Sequence, residues 1–200
     1  FANPRTAGVI ALTTDLEDAI IDCKISDGTS DIFIATKEGM SIRFNEGDVR
    51  GMGRTARGVK GMTIAKDDIV IGMEVFEKGN KDTILMVTQS GYGKRSELEE
   101  YRIQSRGGVG IITQKTTDKV GLVVGTRKVK ATQEVILSTD KGQNIRMKVS
   151  DISVLGRNTQ GVRLINLSEK EEMVTSLAVI DEDVAGIDVV ATDVTGEEVH

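Results

Sequence analysis

An arginine set beside glycine returns along this chain at a nearly constant step, and no other feature narrows the choice of folds as far. The four copies are Pro4-Arg5-Thr6-Ala7-Gly8-Val9-Ile10, Gly53-Arg54-Thr55-Ala56-Arg57-Gly58-Val59-Lys60-Gly61, Gln104-Ser105-Arg106-Gly107-Gly108-Val109-Gly110 and Gly156-Arg157-Asn158-Thr159-Gln160-Gly161-Val162-Arg163. Aligned on Gly8, Gly58, Gly108 and Gly161, they stand 50, 50 and 53 residues apart. A second marker, Thr-x-x-Gly-x-x-x-Arg, keeps the same phase. It runs from Thr36 to Arg43, from Thr88 to Arg95 and from Thr139 to Arg146, with steps of 52 and 51. Two markers in one phase at this period specify a propeller, solenoid or other repeat array.

Each unit reads as β structure. In the second, Val59–Ile64 alternates, Ile69–Phe76 is an apolar β-branched run, and Thr83–Thr88 is a third strand. Gln89-Ser90-Gly91 then closes a hairpin into Tyr92-Gly93-Lys94-Arg95, where glycine supplies a positive φ. Ala19–Ile25, Ile32–Thr36 and Met40–Phe44 repeat the plan, as do Gly121–Val129, Glu134–Thr139 and Asn144–Lys148. Leu164–Leu167 and Met173–Ile180 begin a fourth unit. No segment carries the 3.6-residue period of a helix. The expected fold is an all-β, propeller-like array of about four four-stranded antiparallel blades over 1–180, followed by an acidic tail over 181–200.

Composition bears on partners and chemistry. The net charge of −5 conceals an asymmetry: residues 168–200 carry ten acids against Lys170, a balance of −9, which leaves +4 on the body. A basic body with an acidic tail points toward nucleic acid. Asp181–Glu198 is acidic enough to compete with nucleic acid for the basic body, but a disordered, solubilising tail is the simpler account, although Ile187-Asp188-Val189-Val190 has the character of an edge strand. No apolar run approaches a membrane span, and the chain starts at Phe1, as expected for a piece of a longer protein.

Catalysis finds little support. The only histidine is His200, which leaves no histidine triad or histidine metal site. Cys23 lies in an apolar stretch and reads as a core residue, consistent with a reducing compartment. Asp67-Asp68 and Glu99-Glu100 read as solvated turns, and Tyr92 and Tyr101 as packing or stacking residues. The arginine–glycine loops are the better candidates. Glycine lets the backbone approach a phosphate, and arginine grips its oxygens with a planar fork. The candidate DNA-binding residues are Arg43, Arg50, Arg54, Arg57, Lys60, Lys94, Arg95, Arg102, Arg106, Arg146, Lys148, Arg157 and Arg163. Loops repeated at one point of every blade would line a rim, and DNA bent along it would be held by its backbone.

Three stretches carry a family resemblance: Met52–Met62, Gln89–Arg95 and Val154–Val162. They resemble the C-terminal domain of the bacterial DNA gyrase A protein, part of a type IIA topoisomerase, and the likeness extends to about residue 180. It implies a β-pinwheel, a ring of six blades with strands exchanged between neighbours, that wraps DNA around a basic outer rim. It further implies a non-catalytic module of an ATP-dependent enzyme that introduces negative supercoils in the bacterial cytoplasm, at the nucleoid. Its partners would be double-stranded DNA, the rest of the gyrase A polypeptide and the gyrase B polypeptide, with no membrane. ATP and magnesium would be held elsewhere in the holoenzyme, with no cofactor, metal site or catalytic residue in this chain.

Two departures stand out. The family's hallmark box, Gln-Arg-Arg-Gly-Gly-Lys-Gly, has its nearest counterpart in Gln104–Gly110, which lacks the second-position arginine and the sixth-position lysine. There is also room for about four blades, not six, so the chain resembles the later blades. The alternatives are the equivalent domain of topoisomerase IV, which binds DNA without strong wrapping, and a propeller serving as a protein-interaction scaffold. Replacing Arg54, Arg57, Arg95 and Arg106 together is expected to weaken DNA binding without unfolding the domain.

Overall fold

A computed structural model of the chain describes residues 6–15, 18–169 and 171–181. Pro4, Arg5, Lys170, the acidic tail from residue 182 onward with its expected strand at Ile187–Val190, and His200 lie outside the described residues.

Eleven strands are described: β1 (Asp31–Thr36), β2 (Met40–Asn45), β3 (Val70–Phe76), β4 (Thr83–Thr88), β5 (Tyr92–Glu97), β6 (Ile111–Ile112), β7 (Val123–Val129), β8 (Glu134–Thr139), β9 (Asn144–Lys148), β10 (Val162–Arg163) and β11 (Val174–Ile180). They form two four-stranded sheets, ordered β3-β1-β2-β6 and β10-β5-β4-β7, and a three-stranded sheet, β11-β8-β9. Every paired ladder between these strands is antiparallel. The hairpins β1–β2, β4–β5 and β8–β9 hold the three copies of the threonine–arginine marker, so the marker is the hairpin. Its glycines Gly39, Gly91 and Gly142 each take φ between 77° and 86° at the turn.

Each sheet borrows strands from later in the chain. The hairpin β1–β2 is joined by β3 on one edge and by β6, from the next repeat, on the other. The hairpin β4–β5 is joined likewise by β7 and β10. This exchange ties neighbouring units together by backbone hydrogen bonds and makes each depend on the next.

The same rule explains two expected strands that do not form. By the repeat step, Ala19–Ile25 corresponds to β3 and β7, and Val59–Lys60 corresponds to β6. Among the described residues no hairpin strand pairs with either segment. Ile20, Ile21 and Ile25 accordingly stand 59%, 56% and 96% exposed. Cys23, expected in the core, is exposed for the same reason.

The core lies between the sheets, and β4 shows how sequence produces it. All six of its residues are buried, because it is central in the middle sheet and covered on both faces. Its side chains alternate. Ile84 and Met86 pack with Phe33, Ala35, Phe76, Leu98, Tyr101 and Val123. Leu85 and Val87 pack with Val135, Leu137, Val149, Ile152, Ile165 and Val174. With no tryptophan, aromatic packing is confined to a few places. Tyr101 sets its ring edge-on to Phe33, centroids 5.0 Å apart, and its hydroxyl shares a 2.7 Å hydrogen bond with Thr113 Oγ1.

Asp68, expected in a solvated turn, is buried. Its carboxylate accepts from the Glu38 and Ile69 N–H groups, both at 2.9 Å, tying the segment before β3 to the β1–β2 turn.

Gly110 and Gly161 precede the exchanged strands β6 and β10 with φ of 82° and 77°. A Cβ on Gly110 would lie 2.2 Å from the Ser41 carbonyl oxygen, and one on Gly161 would lie 2.5 Å from that of Gly93. These two glycines, not Gly108 and Gly161, are therefore structural equivalents, and they stand one hairpin step apart. Gly110→Ala combines a left-handed backbone penalty with a backbone clash. It is expected to destabilise the fold by about 2–3 kcal/mol, as read by urea unfolding. A loss below about 0.5 kcal/mol would mean the strand is not seated as described.

Candidate nucleic-acid interface

The arginine–glycine loops are excursions from a sheet edge. The chain lies parallel to β2 at Ile103 and to β5 at Val154, each bridged to the marker arginine. It then leaves the edge as a loop and returns antiparallel as β6 or β10. Backbone bonds to the second hairpin strand therefore pin both stems of each loop, such as Gln104 N–H to Arg43 O at 2.8 Å and Leu155 N–H to Arg95 O at 2.8 Å.

Successive loops also touch. Arg106 donates through Nη1 to the Lys60 carbonyl, with an Nη1–O separation of 2.5 Å. One repeat later, Arg157 donates through Nη1 to the Ile112 carbonyl at 2.9 Å. Thr63 N–H reaches Gly108 O at 2.9 Å, and its counterpart Lys115 N–H reaches Thr159 O at 3.0 Å. Gln114 Nε2 adds a 2.8 Å bond to Gln160 O. Residues 54–63, 104–115 and 155–164 thus form one continuous band in which each loop leans on the one before.

The thirteen candidate residues fall into three groups. Arg50, Arg54, Lys60 and Arg102 are exposed on the band or its stems, and none makes a side-chain hydrogen bond or ion pair among the described residues. Lys148 is also exposed, at the end of β9. Arg57, Arg106, Arg157 and Arg163 sit on the band but are engaged. Arg57 pairs with Asp15 at 3.0 Å, both exposed. Arg106 and Arg157 cap carbonyls as described above. Arg163 donates to the Tyr92 hydroxyl at 2.9 Å and lies 5.3 Å from that ring's centroid. This bond, foremost, holds the Tyr92 phenol below its ordinary pKa.

The marker arginines and Lys94 face inward. Arg43 bonds Asp31 through Nε and Nη2 at 2.9 and 2.6 Å, and through Nη1 it reaches Leu98 O at 2.9 Å and Tyr101 O at 3.1 Å. Arg95 is buried, with Nε on Ile152 O at 2.9 Å. Lys94 is fully buried. None of the three is placed to meet a ligand at the surface. Arg146, the third marker arginine, is paired with Glu134 yet 51% exposed in its side chain. Among the described residues no carbonyl accepts from its guanidinium.

Thr63, Gln114 and Lys115, which hold the loops in place, were not among the sequence candidates. Thr63 and Lys115 stand 52 residues apart, so the repeat phase carried the signal. Lys119, exposed with its Nζ 5.6 Å from the Tyr92 ring centroid, adds a further cation beside Arg163. Among the described residues no three His, Cys, Asp or Glu side chains gather as a metal site, and no helix is long and apolar enough to cross a membrane.

The sequence matches the family described as DNA gyrase C-terminal domain, beta-propeller, over residues 30–77, 82–130 and 133–181. Each match spans one hairpin together with the later strand that joins its first strand, β3, β7 or β11. Two relatives are the A subunit of DNA gyrase from Haloquadratum walsbyi, 42% identical over 171 residues, and its namesake from Salmonella typhimurium, 40% identical over 198 residues. They cover 86% and 99% of this chain, which itself spans only 20% and 21% of their length. A solved DNA gyrase A C-terminal domain superposes with a TM-score of 0.77 at 24% identity, over 88% of this chain and 59% of its own. The C-terminal domain of DNA topoisomerase IV superposes with a TM-score of 0.83 at 22% identity, over 90% and 56%. At such identities the two structures speak for the fold, the β-pinwheel.

Proposed function

Since the chain belongs to the DNA gyrase C-terminal domain family, we propose that it is a DNA-binding module of a gyrase A protein, and that it bends duplex DNA along its band of cationic loops. The observation that carries this reading is the continuity of the band. Arg54, Arg106 and Arg157 fall at one position in three consecutive repeats, Arg50 and Arg102 at a second in the first two, and Lys60 and Arg163 at a third, with Ile112 between them. A duplex crossing the band would meet cations at a regular interval, and contacts to its backbone need no particular base sequence.

In this reading the module does no chemistry. It feeds a DNA segment to the strand-passing core of an ATP-driven topoisomerase, made from the rest of gyrase A and from gyrase B in the cytoplasm, and so directs negative supercoiling. Strand cleavage, ATP and metal ions belong to those other parts.

The test is affinity for a 15- and a 40-base-pair duplex through a salt series, with end-to-end energy transfer read on the longer one. Binding is expected to weaken steeply with salt, by about 0.9 log units per log unit of salt for each phosphate contacted, and the 40-mer ends are expected to approach each other. Salt-sensitive binding with no change in end-to-end distance would favour the second reading, a topoisomerase IV-type module that binds without wrapping. No binding at low salt would overturn both.

A further inference from the structure

The loop Gly156–Gly161 is built over a buried lysine. Lys94 Nζ donates to the Gly156 carbonyl at 2.7 Å, to the Arg157 carbonyl, and to Thr159 Oγ1 at 3.1 Å. No carboxylate bonds it among the described residues. The charges facing it are Glu100, from the 3-10 turn after β5, and Arg157, in the loop itself. Burying an ammonium without an ion-pair partner is unfavourable, and the fold of the repeat does not require one. The equivalent position is Ile42 in the first unit, fully buried beneath the loop Gln104–Gly110, and Ile145 in the third.

What the ammonium does that isoleucine cannot is orient peptides. In a trans peptide the C=O and N–H point in opposite directions. With the Gly156 and Arg157 carbonyls turned inward to Lys94, the Arg157 and Asn158 N–H groups turn outward. Neither donates to a protein acceptor among the described residues. Two consecutive outward N–H groups over a buried positive charge offer an anion two adjacent donors.

We propose that Lys94 is the positioning residue of a phosphate-binding loop, in which the Arg157 and Asn158 N–H groups grip one phosphodiester group of bound DNA. This rests on the DNA-binding reading above. It also assigns the loop a grip that does not depend on a freely moving side chain.

The experiment compares the chain with its Lys94→Met variant by amide NMR and fluorescence binding, using a 12-base-pair duplex at low salt from pH 6.5 to 9.5, and inorganic phosphate in parallel. Lys94→Met is expected to stay folded, to bind the duplex at least fivefold more weakly, and to lose the shifts that the duplex causes at the Arg157 and Asn158 amides. Burial lowers the Lys94 pKa from 10.5 to about 8. The native chain is therefore expected to lose affinity as pH rises through about 8. Its stability moves the other way. The folded pKa lies below the unfolded one, so the unfolded chain holds more protons between about 8 and 10.5, and stability rises with pH across that window. The variant should show neither trend from this site.

Affinity within twofold of the native chain, or persistence of the two amide shifts in Lys94→Met, would overturn the proposal. So would tight binding by the native chain with no shift at these amides. A native chain that binds no duplex contradicts the parent reading instead. The phosphate arm then decides the loop: shifts at these two amides that Lys94→Met abolishes support it, and their absence rejects it. Should Lys94→Met fail to fold, the native pH profile carries the test, and an affinity that stays constant through pH 9.5 counts against the proposal.

Discussion

Replacing Arg50, Arg54, Lys60 and Arg102 together with alanine is expected to weaken binding to a 40-base-pair duplex on the order of a hundredfold near 0.1 M salt, with the slope of log affinity against log salt falling by about 3.6. The four are exposed, make no side-chain hydrogen bond or ion pair among the described residues, and lie on the band or its stems. Removing them takes charge from the surface without leaving a buried group unsatisfied, so unfolding free energy should change by less than about 1 kcal/mol. This set replaces one containing Arg95 and Arg106. Arg95 is buried on Ile152 O, and Arg106 holds the Lys60 carbonyl. A quadruple variant that binds with native affinity and an unchanged salt slope would remove the band as the interface.

The marker arginines should separate by their surroundings. Arg43→Ala removes four side-chain bonds and leaves the Asp31 carboxylate and two carbonyls without their partner, in a place where the pair is only 16% and 15% exposed. The expected loss is about 3 kcal/mol, lowering the midpoint of thermal unfolding by about 6–12 °C for a domain of this size. Arg146→Ala removes an ion pair whose arginine is 51% exposed and should lose less than about 1 kcal/mol. Thermal unfolding of both variants checks the ranking. Equal losses would mean that the covering loop stem at Leu98–Tyr101 does not determine the role of Arg43. Duplex affinity of folded Arg43→Ala should be close to native, since its guanidinium faces Asp31 and the loop stem.

Much of the architecture could be read from residue order. The threonine–arginine marker located all three hairpins, because a tight turn needs glycine at a set place and a strand needs an alternating apolar face. The apolar runs at Val70–Phe76, Val123–Val129 and Val174–Ile180 were legible as strands for the same reason. Legibility failed where a strand depends on a partner far away. Ala19–Ile25 has the composition of β3, yet no strand forms there because strand formation requires a neighbour to accept its backbone bonds. Cys23 is exposed as a direct consequence.

The candidate site divided along a similar line. The period of about 51 residues, the arginine–glycine pairing and the basic body were properties of the sequence alone and pointed to a repeated cationic loop, while the family came from the resemblance of Met52–Met62, Gln89–Arg95 and Val154–Val162. Which cations face outward was decided only by tertiary structure. Arg43, Arg95 and Arg146 occupy one position of one motif, but two are covered by the loop stem of the following repeat and the third is not. Lys94 differs from Ile42 by a charge, and only the fold shows that this charge is turned inward beneath a loop. Local order specifies which backbone conformation a residue favours. Whether its charge meets water, a carbonyl or a ligand depends on a segment some fifty residues away, brought alongside by strand exchange.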